Sequence, residues 1–280
     1  MAELTDFVFT QANLQDYVEC RRRFQLRHLL QLAWPAVEAE PAGEHELHMG
    51  QGETFHRLIH QHRLGIPVAE APDDEDGPLA RWWQAYRAAP PANLPEIQYP
   101  EISLSAPLGG QRLVAKLDLV AVAPGRRAVI VDWKTSARRP TRSWLMGRLQ
   151  TRVYRYVLAQ AGAHLNGDAG PWRPEQISML YWFANEPEQP ELLPYDEAQL
   201  AADGRHLLGL ARAIAAAGED DFPKTDDVRR CRFCPYRSLC DRGAEAGSLH
   251  DADADDVDEP RDAFDWDAGF DFEQIAEIAF

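Results

Sequence analysis

Long apolar runs are absent from this sequence. No stretch of its 280 residues approaches the roughly 18 uninterrupted apolar residues that a membrane-spanning helix needs. The first ten residues, MAELTDFVFT, also lack the basic flank and apolar run of a secretory signal. Both absences predict a cytosolic protein. The length and the 45% hydrophobic content favour one main globular domain, which we place at residues 1–250.

Positive charge is also scarce. The chain has 29 Lys and Arg against 45 Asp and Glu, a formal net charge of -16. Such an excess argues against a nucleic-acid partner, because phosphates repel an acidic surface. The distribution changes this conclusion, since residues 251–280 alone carry a net charge of -11. Between residues 132 and 155 a single acid faces a basic strip in which five arginines are candidates for DNA-backbone contacts: Arg138, Arg139, Arg142, Arg148 and Arg152.

Cysteine is limited to four residues, which are Cys20 and the three in CRFCPYRSLC, Cys231, Cys234 and Cys240. Disulfides are not expected in a cytosolic protein, whereas thiolates two residues apart can hold one metal centre. Four thiolates suit either a 4Fe-4S cluster or a Cys₄ zinc site, and the spacing does not separate the two. Either centre would tie residue 20 to residue 231 and so close a long loop.

The periodicity of apolar residues predicts a sheet flanked by helices, an α/β or α+β core. Three β-like runs, EIQYPEISLSA, RLVAKLDLVAV and RAVIVDW, are separated by short turns and predict an antiparallel meander. A later strand is expected at QISMLYWFA. Helices are predicted from Thr10 to Pro35 and over residues 49–65, 78–90, 141–162 and 195–218.

The segment VIVDWKTS carries the first candidate chemistry. On a strand, Asp132 and Lys134 point to one face and Val129, Val131 and Trp133 to the other. The same alternation places Asp118 with Lys116 and Val120, opposite Leu117 and Leu119. Two converging carboxylates with a lysine could hold Mg²⁺ or Mn²⁺ and assist attack on a phosphodiester. A solvated strand end is the common alternative for an isolated D-x-K.

Three further polar residues lie near these strands in the sequence. Gln150 and Tyr154 are four apart, hence on one face of the helix that follows. His56 lies in GETFHRLIH with Gly52 one turn earlier, where a missing side chain permits close approach of another element. A rim glutamine, a packed tyrosine ring and a satisfied core histidine are the ordinary interpretations of these residues.

Taken together and in order, these segments resemble the PD-(D/E)XK nuclease superfamily. The resemblance is to its RecB-type branch with an iron-sulfur cluster, which includes the AddB nuclease domain and CRISPR-associated 4Fe-4S exonucleases. It implies a restriction-endonuclease-like mixed sheet flanked by helices, with a Cys₄ iron-sulfur clasp that joins the N- and C-terminal parts. By this resemblance the metal ligands are His56, Asp118 and Asp132, the catalytic lysine is Lys134, and Gln150 and Tyr154 form a Q-x3-Y motif. The cluster ligands are Cys20, Cys231, Cys234 and Cys240.

The expected function is therefore a divalent-metal-dependent DNA nuclease acting on single strands or ends. No G-x-x-x-x-G-K-[ST] loop occurs, so ATP-driven unwinding would need a helicase, repair or CRISPR protein as partner. Two alternatives stay open: a non-catalytic nuclease-fold scaffold, and a zinc-stabilised DNA-binding protein. The tail at 251–280 is expected to be either disordered or bound to a partner or to the basic strip.

Overall fold

The structure is a computed structural model that describes residues 7–32, 40–68 and 77–243, with the backbone alone described over 40–46. The predicted helix end at Pro35, most of the acidic loop at 67–78, and the tail at 251–280 lie outside these ranges. No helix in the described ranges is long and apolar enough to cross a membrane.

Within the described ranges the fold consists of six strands and seven α-helices, with one π-helical and several 3₁₀ turns between them. The strands are β1 (Val8–Thr10), β2 (Ile97–Leu108), β3 (Gln111–Ala123), β4 (Arg127–Lys134), β5 (Ile177–Phe183) and β6 (Glu191–Pro194). The helices are α1 (Gln11–Glu19), α2 (Arg21–Phe24), α3 (Glu40–Arg63), α4 (Pro78–Ala88), α5 (Arg142–Gly147), α6 (Leu149–Ala161) and α7 (Glu197–Ala216).

The strands form one mixed sheet. Its order is β1-β3-β4-β5-β6, with β2 paired along the other edge of β3. The pairs β2–β3, β3–β4 and β5–β6 are antiparallel, whereas β1–β3 and β4–β5 are parallel. The predicted meander of β2, β3 and β4 is therefore confirmed. The crossover from β4 to β5 carries α5 and α6 onto one face of the sheet.

Each face of the sheet packs against helices. On one face Ile130 and Tyr181 join a core with residues of α1, α6 and α7. On the other face Val131 and Trp182 pack against Phe55 of α3 and Trp83 of α4. The fold is thus α/β with a central mixed sheet flanked by helices, as predicted.

Several boundaries differ from the prediction. The first helix ends at Cys20, which is extended (φ -158°, ψ 105°), and the chain resumes as α2 and a π turn over Gln25–Leu29. The helix at 141–162 is likewise broken at the extended Arg148. The short strands β1 and β6 were not predicted, because three or four residues are too few to show an alternating pattern.

The predicted alternation in β3 also fails locally. Leu117 and Val120 both belong to the α6-side core, while Leu119 lies on the opposite side. The β2–β3 ladder passes from Pro100–Leu119 to Ile102–Leu117 and omits Glu101 and Asp118. Glu101 has a φ of +54°, a conformation rare for a residue with a side chain, so the strand pair is kinked here.

The N-terminal helices pack against the segment that carries the last three cysteines. The Arg22 amide donates to the Pro223 carbonyl at 3.2 Å, Gln25 donates to the Glu219 carbonyl, and Tyr236 donates to the Leu32 carbonyl. Arg230 pairs with Glu19 at 3.1 Å. The two ends of the described core are therefore joined by polar contacts.

Asp16 is a buried acid at this junction that contacts three basic side chains. Its carboxylate accepts from Arg23 at 2.6 Å, from Arg27 at 3.1 Å and from His28 at 2.9 Å, and it is only 5% exposed. Burial alone would raise the pKa of Asp16, but Arg23 and the other partners hold it well below the ordinary 3.8. The ionised form is therefore the one that the folded protein stabilises.

We expect Asp16→Asn to lower the free energy of unfolding by about 3 kcal/mol at pH 7, because it leaves Arg23 buried with Glu19 as its remaining acid. The depressed pKa means that this contribution is complete above about pH 5 and is lost progressively as the pH falls through the ordinary value of 3.8 toward the lowered pKa of the folded state. Urea unfolding between pH 7 and pH 2.5 should thus show the difference between wild type and variant shrinking with acid. The exposed Asp168→Asn is the matched control, and a constant difference at all pH values would contradict the assignment.

Candidate active site and cysteine pocket

The candidate active site lies where β3 and β4 separate. Their ladder ends at the pair Leu119–Val131, so the next opposed residues are Asp118 and Asp132. Here the Asp118 side chain replaces the backbone pairing, since its Oδ2 accepts from the Trp133 amide at 3.0 Å. Register alone therefore brings the two predicted carboxylates to one point of the sheet.

His56 reaches this point from α3, on the other face of the sheet. One ring nitrogen lies 3.1 Å from the Trp133 carbonyl oxygen, and the other lies 3.4 Å from Asp118 Oδ2. The helix also passes close to the end of β4 one turn earlier, where a Cβ on Gly52 would lie 3.4 Å from Thr135 Oγ1, an ordinary van der Waals contact. Burial would lower the pKa of His56, but the Asp118 carboxylate outweighs it and raises that pKa to about 9.

Glu101 is the site residue that the sequence analysis missed. Among the described residues, the ligand atoms of His56, Glu101 and Asp118 form a set that lies within 4.8 Å of one another. Glu101 is at the kink of β2 and forms an ion pair with Lys116. No motif marks it, because its position depends on a backbone kink that the alternation of β2 does not predict.

Asp132 and Lys134 form a buried pair beside this set. They are 1% and 3% exposed, and Lys134 Nζ lies 3.0 Å from Asp132 Oδ2. Burial and the charge of Asp118 raise the pKa of Asp132 to about 6 against the opposing effect of Lys134. Burial would raise the pKa of Asp118, but the interaction with His56 outweighs this effect and lowers that pKa. The negative charge of Asp118 disfavours ionisation of Asp132. A divalent cation bound between the two carboxylates would stabilise both in the ionised form.

Gln150 and Tyr154 lie on the face of α6 that packs over the sheet, both less than 10% exposed. Gln150 Nε2 and the Tyr154 hydroxyl are 3.4 Å apart, a long hydrogen bond. Burial and the nearby Asp132 and Asp118 raise the pKa of Tyr154 well above 10, so it stays a neutral phenol. The structure thus brings this pair to the side of the sheet that bears Asp132.

The five predicted DNA-contacting arginines differ in their surroundings. Arg138 and Arg142 are exposed, and Arg139 is half-buried. Arg148 is buried with its guanidinium 4.6 Å from the centre of the Trp144 ring, and Arg152 pairs with Asp203 at 2.9 Å. Arg139 and Arg152 are alike in being partly exposed and paired with an acid, so among the five only Arg148 is withdrawn from the surface.

The four cysteines line one pocket, which the polar contacts between the chain's N-terminal helices and residues 219–242 hold together. Cations share the lining: Arg23, Lys224, Arg230, Arg237 and Arg242. Burial raises the pKa of the thiols of Cys231, Cys234 and Cys240, and the nearby arginines and Lys224 oppose this. A lining rich in cations suits an anionic centre built on thiolates.

Comparison with known proteins gives one family. The family model of the PD-(D/E)XK nuclease superfamily matches residues 8–241, which is most of the chain. No curated protein matches the sequence.

Solved structures similar to this chain include SSO0001, with 14% identity, a TM-score of 0.38, and coverage of 83% of this chain and 85% of that one. A protein from Eubacterium rectale described only provisionally as an exonuclease has 10% identity, a TM-score of 0.40, and coverage of 75% and 80%. We draw no functional argument from similarities at this level.

Proposed function

Because the chain belongs to the PD-(D/E)XK nuclease superfamily, we propose that it is a divalent-metal-dependent nuclease that hydrolyses DNA. The observation that carries the proposal is the separation of β3 and β4, which gathers Asp118, Asp132 and Lys134 with His56 and Glu101. A binding module would gain nothing from three buried charges at one point, since burying charge costs free energy.

The ligand set fits a hard divalent cation. Oxygens of Asp118 and Glu101 and a ring nitrogen of His56 lie within 4.8 Å of one another, and all are groups that Mg²⁺ or Mn²⁺ accepts. Asp132, which pairs with Lys134 beside this set, is proposed as a further ligand. A bound cation would supply an activated water and neutralise charge on the phosphate. The side chain of His56 is 30% exposed. The candidate metal site is therefore open to solvent beside His56, and substrate can enter there.

The protein's own groups would act on the substrate as follows. Lys134, held by Asp132 at 3.0 Å and kept from water, can donate to a phosphate oxygen as negative charge builds up. Gln150 and Tyr154 act as positioning residues, since their side chains are buried above Asp132 and restrict where the strand can lie. Trp133 contributes through its backbone, which orients Asp118 and His56.

We expect Tyr154→Phe to reduce kcat about tenfold, the value of one hydrogen bond of roughly 1.4 kcal/mol. The ring still fills the core, so the melting temperature should be unchanged. Steady-state kinetics with separate kcat and KM would measure the effect.

Tyr156→Phe, two residues along the same helix and half-buried, is the matched control and should be neutral. Equal effects of the two variants, or a lower melting temperature with normal kcat for Tyr154→Phe, would contradict a positioning role.

We further propose that the cysteine pocket holds a 4Fe-4S cluster and that the chain is of the RecB-type branch. The cations that line the pocket suit an anionic centre on four thiolates of either kind, and the choice of a cluster over zinc follows the resemblance of the Cys20 and CRFCPYRSLC segments to the RecB-type branch. Cys20, Cys231, Cys234 and Cys240 would be its ligands. Such a centre would act as a clasp between the N-terminal helices and residues 219–242.

The remaining proposals concern biological context. We propose a cytosolic exonuclease that acts on single strands or DNA ends in DNA repair or CRISPR-type defence. Its partner would be a helicase or another repair or CRISPR protein, because the sequence has no ATP-binding loop. The acidic, aromatic tail at 251–280 is the segment of the chain best suited by composition to such a contact.

The test uses anaerobically purified full-length protein with end-labelled single-stranded DNA, double-stranded DNA and RNA of one sequence. We expect shortened DNA products with Mn²⁺ or Mg²⁺ and none with EDTA. Labels at the 5′ and 3′ ends would give the direction of digestion. Intact DNA in every metal, from protein with a full cysteine centre, would reject the nuclease and favour the scaffold alternative.

A further inference from the structure

Two arginines near the active site, the half-buried Arg139 and the exposed Arg142, converge on one carboxylate. Glu191 of β6 receives a hydrogen bond from Arg139 at 2.9 Å through Oε2 and one from Arg142 through Oε1. Arg142 also donates to the Leu192 carbonyl at 2.9 Å, and Arg139 to Gln189 at 3.1 Å. Each oxygen of the acid thus has its own guanidinium, so two cations converge on one anionic group, and arginine is the side chain best suited to bind phosphate.

The register of the sheet fixes how far this carboxylate lies from the active site. Asp132 pairs with Tyr181 on β5, and Tyr181 pairs with Glu191 on β6. Directly opposed residues point to the same face, so Glu191 and Asp132 share the α6 side of the sheet. Two strand spacings separate them by roughly 10 Å. Tyr181 itself is buried beneath Thr151 of α6, so a strand would reach this position past the ends of β4 and β5, where Lys134 pairs with Phe183.

The arginines are also held in place for binding. The Arg139 guanidinium lies 5.4 Å from the centre of the Phe183 ring, and Phe183 pairs with Lys134 in the β4–β5 ladder. Arg142 is the second residue after Pro140 and the first residue of α5, with its side chain 51% exposed. The adjacent Arg138 is exposed as well. Glu191 lies on the edge strand β6 with 18% of its side chain exposed, and the exposed Arg142 beside it gives the anion position access to solvent.

We propose that Arg139 and Arg142 form a phosphate-binding clamp for the nucleic-acid backbone, and that Glu191 occupies it as an internal competitor when no strand is bound. This rests on the proposed function for the identity of the substrate. Glu191 lowers the affinity of the clamp, so only a strand that also engages the active site displaces it. The clamp would in this way couple retention of the strand to correct placement at Asp132.

The experiment measures the affinity of the full-length protein for a fluorescent 20-nucleotide oligothymidylate in EDTA, at several salt concentrations. Glu191→Gln should bind about threefold to tenfold more tightly than wild type at low salt, as expected for removal of a partly exposed competing carboxylate. The slope of log affinity against log salt should steepen. Arg142→Gln should weaken binding and reduce that slope by about 1.

Matched controls lie at the opposite end of the sheet. Glu175→Gln and Arg126→Gln make the same charge changes at exposed positions before β5 and between β3 and β4. If Glu191→Gln binds no more tightly than Glu175→Gln, or if wild type and variants all fail to bind the strand, the clamp is rejected.

Cleavage by the same proteins separates this proposal from the nuclease assignment. Metal-dependent cutting with no distinct effect of Glu191→Gln would reject the clamp and leave the nuclease standing. Tighter binding by Glu191→Gln without any cutting would support the clamp and reject the nuclease.

Discussion

Asp132→Asn should abolish metal-dependent cleavage, with kcat reduced about 10³-fold, since several kcal/mol of transition-state stabilisation depend on the cation site. Asp132 is 1% exposed, and burial together with the charge of Asp118 raises its pKa to about 6. A bound divalent cation would therefore stabilise the ionised form of Asp132. Asparagine keeps the shape but offers only a neutral oxygen. The measurement is the initial rate on end-labelled single-stranded DNA at saturating Mn²⁺.

Thermal unfolding provides a second measurement that does not depend on activity. A cation that binds only the folded protein stabilises it by about 2.7 kcal/mol at one hundred times its dissociation constant. We therefore expect Mn²⁺ to raise the melting temperature of wild type and of the exposed control Asp168→Asn. Asp132→Asn should lose that rise. A variant with more than a tenth of wild-type kcat and a normal response to Mn²⁺ would remove Asp132 from the site.

Cys234→Ser should lose the metal of the cysteine pocket and become much less stable. Cys234 is 7% exposed and packs with Leu26 and Tyr236. In the serine variant, water therefore cannot reach the metal to replace the missing thiolate. Cys20 and Cys231 enclose a loop of more than two hundred residues, for which a covalent crosslink would contribute about 5 kcal/mol. We expect a loss of up to that size in the free energy of unfolding.

Metal analysis and absorption near 400 nm on anaerobic protein would identify the centre and its loss. Asp132→Asn is the informative comparison, because it should keep the cysteine centre while losing cleavage. An iron content of zero with stoichiometric zinc in wild type would replace the cluster by a Cys₄ zinc site. Wild-type stability and metal content in Cys234→Ser would reject both kinds of centre.

The sequence was most informative where chemistry and periodicity agreed. The three-strand meander, the later strand, the common face of Asp132 and Lys134, and the helix that carries Gln150 and Tyr154 all follow from alternation or helical spacing. Each of these features depends on contacts within one element or between strands joined by a short turn. The convergence of Asp118 with Asp132 also followed from the meander, because its turn fixes which residues are opposed.

Features that depend on tertiary context were not predictable from the sequence. The approach of Glu101 depends on a positive φ in β2, and the breaks at Cys20 and Arg148 interrupt segments with continuous helical spacing. The basic strip was read from charge alone, so the acids that neutralise it, Glu191 and Asp203, went unrecognised. They follow their arginines by about fifty residues and meet them only after the sheet and α7 have packed.

The junction of the chain's two ends also has a consequence for the time course of synthesis. Cys20 cannot meet all three of the other cysteines until residue 240 has left the ribosome. At 5–20 residues per second, synthesis of the chain between Cys20 and residue 240 takes about 10–40 s. During this interval the N-terminal helices lack Pro223, Glu219 and Arg230, with which they pack in the finished protein. Any centre bound by the four thiols must therefore be inserted into a nearly complete chain, and the nuclease fold becomes closed only as its last described residues arrive.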